Sequence, residues 1–261
     1  MTMKKQTIEL LRKYAAKYET ADFFSRDPSL FMRRLGSRES AANREATAFL
    51  SSCLSFGSID QFLPKIQSLI DLAHGNVHAW ICKAAFERDI PDDPKRRFYR
   101  FITYANLNAF LRAYARVIRE HGTLGGLVKS RSDGTAITAV RTICAAFADS
   151  GAAYLVPKDA TSACKRVCLF LRWMARSGSP VDIGLWSDFI DRRTLIMPLD
   201  THVLDEARRL GLISGNQTSM RTAIKLTAEM AKAFPDDPLK GDFALFGHGL
   251  ETARLRSSTQ A

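Results

Sequence analysis

The sequence predicts an all-α protein, and three observations support this. Apolar residues recur at i, i+3 and i+4 through most of the chain, which is the period of an amphipathic helix. No run alternates apolar and polar residues as a half-buried strand would. Clusters of Pro, Gly and Asp interrupt the apolar pattern at Pro91–Pro94, Gly122–Gly126 and Pro235–Pro238, and we expect loops there.

Each expected helix corresponds to one apolar stripe with helical spacing. The segment from Phe98 to Ala105 keeps this spacing, so we expect it to be helical as well. In chain order the stripes run Ala46–Leu54, Ile59–Ile70, Phe98–Ala105, Leu107–Ile118, Ile137–Phe147 and Leu226–Phe234.

The stretch from Cys164 to Met174 is apolar on most sides, which is typical of a buried central helix. Lys165 and Arg166 nevertheless stand in its first turn, where a positive charge opposes the helix macrodipole. A residue that breaks a local rule often has a functional reason to do so. We therefore treat Lys165 as a candidate site residue.

Composition predicts a globular protein with a nucleic-acid partner. The chain has 261 residues, of which 46% are hydrophobic and 25% charged, enough for one large domain or two interlocked lobes. The formal net charge of +11 suggests a polyanionic partner, most commonly nucleic acid. A basic but inert surface is the alternative.

Targeting signals and cysteines exclude several classes. No segment approaches the roughly 18 apolar residues of a membrane span, and the N-terminus lacks a secretion signal. We expect a cytoplasmic protein, associated with the nucleoid if it binds DNA. Among the five cysteines only Cys164 and Cys168 lie close together, so we expect neither a metal nor another cofactor.

Two motifs resemble those of a known superfamily. The run Pro198-Leu199-Asp200-Thr201-His202-Val203 resembles the catalytic-aspartate motif of the helix-hairpin-helix DNA glycosylases. The segment Ser162–Arg166 stands where that superfamily has its hairpin and catalytic lysine. Segments 48–60 and 243–249 also resemble parts of the same fold. The spacing between the two motifs is closest to that of the archaeal 8-oxoguanine DNA glycosylases.

Over nearly its full length the chain resembles an uncharacterised bacterial family, domain of unknown function 2400. The segment Ser162–Met174 matches the hallmark of that family. The wider resemblance implies a two-lobed fold, with a central helical lobe over residues 40–195 and a second lobe from residues 1–39 and 196–261. It also implies that Lys165 and Asp200 meet at the cleft between the lobes.

The resemblance implies a DNA base-excision glycosylase, with or without lyase activity, acting on duplex DNA. A lysine amine can attack the anomeric carbon and form a Schiff base, but it must first be neutral. Burial and a helix N-terminus both favour the neutral amine, and we expect Lys165 to have both. Asp200 would remain ionised and stabilise the positive charge that develops. Asp200 as a plain helix cap, and Lys165 as a phosphate ligand, are the alternatives.

The expected DNA contacts surround the predicted hairpin. They comprise Lys158, Thr161, Ser162, Ala163, Arg166 and Arg172. This hairpin lacks the usual glycines, and Gly57 stands where many relatives carry a side chain that fills the gap left by a flipped base. His202, Asp242 and His248 are candidates for a supporting role, and we expect Trp173 to pack in the core. A non-catalytic nucleic-acid-binding or scaffold protein with the same fold is the alternative function.

Overall fold

The computed structural model describes residues 3–259, with side chains up to residue 252, and it is mainly helical. Its helices are α1 Lys5–Tyr18, α2 Ser29–Leu35, α3 Ala41–Leu54, α4 Ile59–Leu72, α5 Val77–Cys82, α6 Phe86–Asp89, α7 Tyr104–His121, α8 Leu124–Ser130, α9 Ala136–Phe147, α10 Lys165–Ala175, α11 Thr201–Arg209, α12 Met220–Ala233 and α13 Lys240–Thr259. Two short strands, β1 Arg97–Tyr99 and β2 Ile102–Thr103, pair antiparallel. The all-α expectation is confirmed at this level.

The chain divides into two compact units. Unit 1 combines the residues up to Ser25 with those from Thr161 onward, and unit 2 comprises Arg26–Ala160. The unit boundaries differ from those we expected. Residues 161–195 group with the two terminal segments rather than with the central one, and residues 26–39 group with the central segment rather than with the N-terminal one. None of the described helices is long and apolar enough to cross a lipid bilayer.

Unit 2 is built around α3, which is buried on nearly all sides. The ring of Phe49 on this helix contacts those of Phe110, Tyr114 and Phe147, with centroids 5.1 to 5.9 Å apart. The buried Glu45 on the same helix accepts hydrogen bonds from the backbone of Leu124 and Gly125 at the start of α8. A carboxylate stabilises a helix N-terminus in this way.

We expected a helix over Phe98–Ala105, and this prediction is wrong for the residues up to Thr103. Residues 97–103 form a β-hairpin instead. Arg100 at its tip has φ +50°, in the left-handed region that does not continue a helix. Thr103 then forms a capping box with Asn106, which fixes the start of α7 at Tyr104. Because the strands hold only three and two residues, no alternating pattern reveals them.

The other expected stripes are confirmed as parts of α3, α4, α7, α9 and α12. In unit 1, α13 packs against α1 and α11. α10 is the predicted central helix, with Phe170, Trp173 and Met174 in the core. Residues 148–164, which precede α10, are not helical.

Candidate functional site

Lys165 and Asp200 come together in unit 1, each at a helix N-terminus. The Lys165 Nζ lies 3.3 Å from the Asp200 Oδ2, and the two side chains are 38% and 16% exposed. We expected these residues to meet at the cleft between two lobes, but both belong to unit 1, where their functional groups are in contact. The pair is reachable from solvent mainly on the lysine side.

Asp200 is oriented by its place in the fold. It is the N-cap of α11, with an extended backbone, and its Oδ1 accepts a hydrogen bond from the Val203 backbone at 2.9 Å. One carboxylate oxygen therefore holds the first turn of the helix, while the other faces Lys165. The cap interpretation and the site interpretation of Asp200 are thus compatible, because they use different oxygens.

Lys165 begins α10 directly after a sharp change in backbone direction. Cys164, the N-cap, is in the left-handed conformation with φ +44°, and its carbonyl accepts the backbone N–H of Cys168. Just before it, Ser162 forms an isolated antiparallel bridge with Ser219, which precedes α12. Contrary to expectation, the Lys165 side chain is only partly buried. A ligand can therefore approach the amine.

Asp242 is a second carboxylate whose charge acts on this site. It stands in the first turn of α13, where it is buried and binds the Arg172 guanidinium. Burial and, to a smaller extent, the negative charges of Asp200 and Asp182 raise its pKa to about 6, against the opposing effect of Arg172. The predicted supporting residue therefore does lie close enough to Asp200 for their charges to interact.

Arg172 does not serve as the predicted DNA contact. Its residue exposure is only 2%, and its guanidinium bonds to Asp182 at 3.2 Å and to Asp242 at 2.5 Å. It also lies over the ring of Phe243, 4.4 Å from the centroid. The role as a phosphate ligand is wrong, because core residues and two carboxylates enclose this side chain.

The two candidate histidines lie against aromatic rings. The half-buried ring of His202 packs edge-on against Phe246, with centroids 6.0 Å apart. The ring of His248 stacks on Tyr14 at 4.1 Å, and its Nδ1 lies 2.8 Å from Glu206 Oε1. His248 therefore packs against an aromatic ring and lies within ion-pair distance of a carboxylate, while His202 packs against an aromatic ring.

The remaining predicted DNA contacts differ in accessibility. Thr161 and Ser162 are exposed, Arg166 is half-buried, and Ala163 is buried. A nucleic acid could reach the first three of these residues in unit 1, but not the Ala163 side chain. Lys158 is exposed and belongs to unit 2. Trp173 and Trp186 are both buried, so neither presents a face on which a base could stack.

The described residues form no cluster of metal-ligating side chains. Within residues 3–259, no group of three or more His, Cys, Asp or Glu side chains is arranged to hold a metal. None of the five cysteines forms a disulfide, and burial raises the pKa of Cys168 far above its usual value.

Two features of the structure, one in each unit, were not predicted from the sequence. Asp182 and Asp237 bind the buried arginines, yet nothing in their local sequence marks them as core residues. The β-hairpin carries exposed aromatic and basic side chains, and here a signal existed. The run Lys95–Phe101 interleaves cations with aromatic rings, which is a pattern typical of nucleic-acid binding.

Comparisons with known proteins give one match. No curated protein and no solved structure is similar enough to count as a match. A family model described as a protein of unknown function (DUF2400) matches residues 27–251, which is most of the chain. The matched range includes Lys165, Asp200 and Asp242. The chain therefore belongs to the DUF2400 family.

Proposed function

We propose that this protein is a DNA base-excision glycosylase with lyase activity, in which Lys165 is the nucleophile and Asp200 the stabilising carboxylate. The observation that carries the proposal is the 3.3 Å approach of the Lys165 Nζ to the Asp200 Oδ2, with the amine open to solvent. The resemblance of the two motifs to the helix-hairpin-helix DNA glycosylases and the net charge of +11 support it.

The proposed reaction begins when the Lys165 ammonium group loses a proton to water, which can reach this partly exposed side chain, while Asp200 remains ionised. The nitrogen then attacks the anomeric carbon of the sugar, and a C–N bond forms. The glycosidic bond breaks, and its electron pair leaves with the base, which takes up a proton. The sugar ring then opens: the ring oxygen takes up a proton, the nitrogen loses one, and a Schiff base to Lys165 forms. Loss of a proton from C2′ expels the 3′ phosphate as the leaving group and cuts the strand.

Asp200 contributes electrostatically in this scheme. The transition state resembles an oxocarbenium ion, and a fixed carboxylate beside it lowers its free energy. The hydrogen bond from the Val203 backbone restrains the carboxylate, so little reorganisation is needed during the reaction. The nearby Asp242 adds negative potential, which Arg172 partly offsets.

The competing candidate is a non-catalytic nucleic-acid-binding protein. One observation favours it: both oxygens of Asp200 already have partners that need no chemistry, since one caps α11 and the other pairs with Lys165. In that case the pair simply links α10 to α11. The two functions differ in whether a covalent adduct forms.

Borohydride trapping against duplexes that carry different lesions tests the proposal. Reduction of the Schiff base should leave a covalent protein–DNA adduct, and Lys165→Gln should abolish it while duplex affinity stays within a few-fold. The control is Lys225→Gln, which removes the same charge from the exposed face of α12 and should trap normally. A wild-type protein that gives neither adduct nor strand cleavage with any lesion would rule out the lysine mechanism.

A further inference from the structure

Unit 2 exposes a row of aromatic side chains. Among the described side chains, Phe101 and Tyr154 are 49% and 56% exposed, and their ring centroids are 5.4 Å apart. Phe101 also stacks on the half-buried Phe56, with centroids 5.2 Å apart and planes 27° from parallel. A single exposed apolar residue is common on protein surfaces, but adjoining exposed rings form an apolar patch, which is typical of a site that binds a ligand or a partner molecule. We call Phe56, Phe101 and Tyr154 the aromatic platform.

The β-hairpin holds the aromatic platform in a defined position. The Tyr99 hydroxyl donates a hydrogen bond to the Phe56 carbonyl, which ties the hairpin to the end of α3. Gly57 makes this approach possible, since a Cβ there would lie 2.7 Å from both Arg100 Nη1 and Tyr99 Oη. The platform is therefore formed before any ligand arrives, and little ordering cost remains for binding.

Arg97 and Arg100 belong to the hairpin that carries Phe101. Within the described part of the chain, no carboxylate forms an ion pair with either of them, nor with the preceding Lys95 and Arg96. Arg97 instead points back to the Arg100 carbonyl at 3.5 Å, and Arg96 lies over the Tyr104 ring, 4.9 Å from the centroid. Positive charge that the protein leaves uncompensated beside exposed rings favours a ligand that carries both phosphates and π faces.

We infer that the aromatic platform and its adjoining arginines bind the unpaired bases of a nucleic-acid strand. Phe101 and Tyr154 stack on bases, and Arg97 and Arg100 contact the phosphates on either side. Stacking on aromatic rings accepts any base, while the guanidiniums follow the backbone. The inference rests on the nucleic-acid partner of the proposed function, but it does not depend on the Lys165 chemistry.

Fluorescence anisotropy with a labelled single-stranded oligothymidine tests the inference in the full-length protein. Phe101→Ala combined with Tyr154→Ala should weaken binding by about tenfold or more and leave its salt dependence unchanged. Leu72→Ala is the matched control, because it trims another exposed apolar side chain of unit 2 and should bind like wild type. Arg97→Gln and Arg100→Gln should each reduce the slope of log affinity against log salt by about 0.7.

The outcomes separate this inference from the proposed function. If wild-type protein traps no lesion but the double alanine variant loses oligothymidine affinity, the inference stands and the glycosylase proposal falls. Binding by that variant within twofold of Leu72→Ala would overturn the inference. The inference would also be overturned if the double alanine variant changed its self-association but not its oligonucleotide affinity, because the rings would then form a contact between protein copies. Circular dichroism of each variant checks that the helical fold is retained.

Discussion

At the scale of single residues, the central question is how one side chain can serve both structure and chemistry. Asp200 divides its two oxygens between the α11 cap and the Lys165 amine. An aspartate at this position would be explained by capping alone, because Asp is among the preferred N-cap residues. The pairing with Lys165 is what the cap does not explain. Substitutions that keep the cap and remove the charge can therefore separate the two roles.

Asp200→Asn should leave the free energy of unfolding within about 1 kcal/mol of wild type, because Asn caps helices as well as Asp does. The same change should slow borohydride trapping by about 10² or more, since it removes the charge that stabilises the transition state. Chemical denaturation and the trapping rate measure the two effects.

Ser40→Ala is the matched control for the loss of a cap. Ser40 caps α3 in unit 2 through the Asn43 backbone, so its substitution should cost about 1 kcal/mol and leave trapping unaffected. Equal trapping rates for wild type and Asp200→Asn would mean that Asp200 acts only as a helix cap.

At the scale of secondary-structure elements, unit 1 depends on close contacts of α13. Gly247 lies against Tyr18 on α1, and a Cβ at this glycine would come 2.3 Å from the Tyr18 Cγ. Gly241 similarly faces Met230 on α12, where an added Cβ would lie 2.4 Å from the Met230 side chain. Small residues at these points let the helices approach closely, and this approach positions Asp242 in the first turn of α13.

Gly247→Ala should destabilise the protein by about 1 to 2 kcal/mol. The added methyl group overpacks the contact with Tyr18, typically at a cost of about 1 to 3 kcal/mol. Replacing a helical glycine by alanine returns up to about 1 kcal/mol. Thermal or denaturant unfolding measures the difference. In the Tyr18→Ala background the same substitution should be close to neutral or stabilising, and an unchanged penalty there would place its cause elsewhere.

At the scale of the whole molecule, unit 1 contains buried charges contributed by distant parts of the chain. Arg176 binds Asp237, Asp182 and Glu19, while Arg172 binds Asp182 and Asp242. Because these groups are desolvated, removing one partner would leave an uncompensated charge, which typically costs about 3 to 5 kcal/mol. The network links the N-terminal segment to residues beyond 161, which is consistent with both chain ends contributing to one unit.

The network predicts a specific pH dependence of stability. Asp242 has a pKa of about 6 in the folded protein, above the usual 3.8, so the folded state holds its proton more tightly than the unfolded state. The stabilising contribution of this tighter proton binding is fully present below about pH 3.8 and is lost as the pH rises through about 6. Asp242→Asn removes this titration. Between pH 4 and pH 7, its free energy of unfolding should therefore rise relative to that of wild type by about 2 kcal/mol.

Denaturant unfolding at a series of pH values measures this difference. Asp236→Asn is the matched control, because Asp236 is exposed in the loop before α13 and should follow the wild-type profile. Parallel profiles for wild type and Asp242→Asn would mean that the Asp242 carboxyl titrates alike in the folded and unfolded protein.

Much of the fold was predictable from sequence because its signals are local. The apolar stripes of α3, α4, α7, α9 and α12 repeat within a single helix, and the period follows from helix geometry. The position of Lys165 in a first turn and of Asp200 at an N-cap also follows from a few consecutive residues. The hairpin at 97–103 was mispredicted because its strands are too short to show an alternating pattern. Its apolar residues also happen to have helical spacing, although this segment is not a helix.

The sequence by itself determined the helical class, most helix positions, and the two residues that form the candidate pair. Only the tertiary structure decided which charged side chains face solvent. Arg172 has the sequence context of a DNA contact, yet Asp182 and Asp242, from other segments of the chain, hold it in the core. The 3.3 Å distance between the Lys165 amine and Asp200 likewise depends on the tertiary structure. The physical reason is that the burial and pairing of a charge depend on groups that distant segments supply, which local periodicity and capping do not encode.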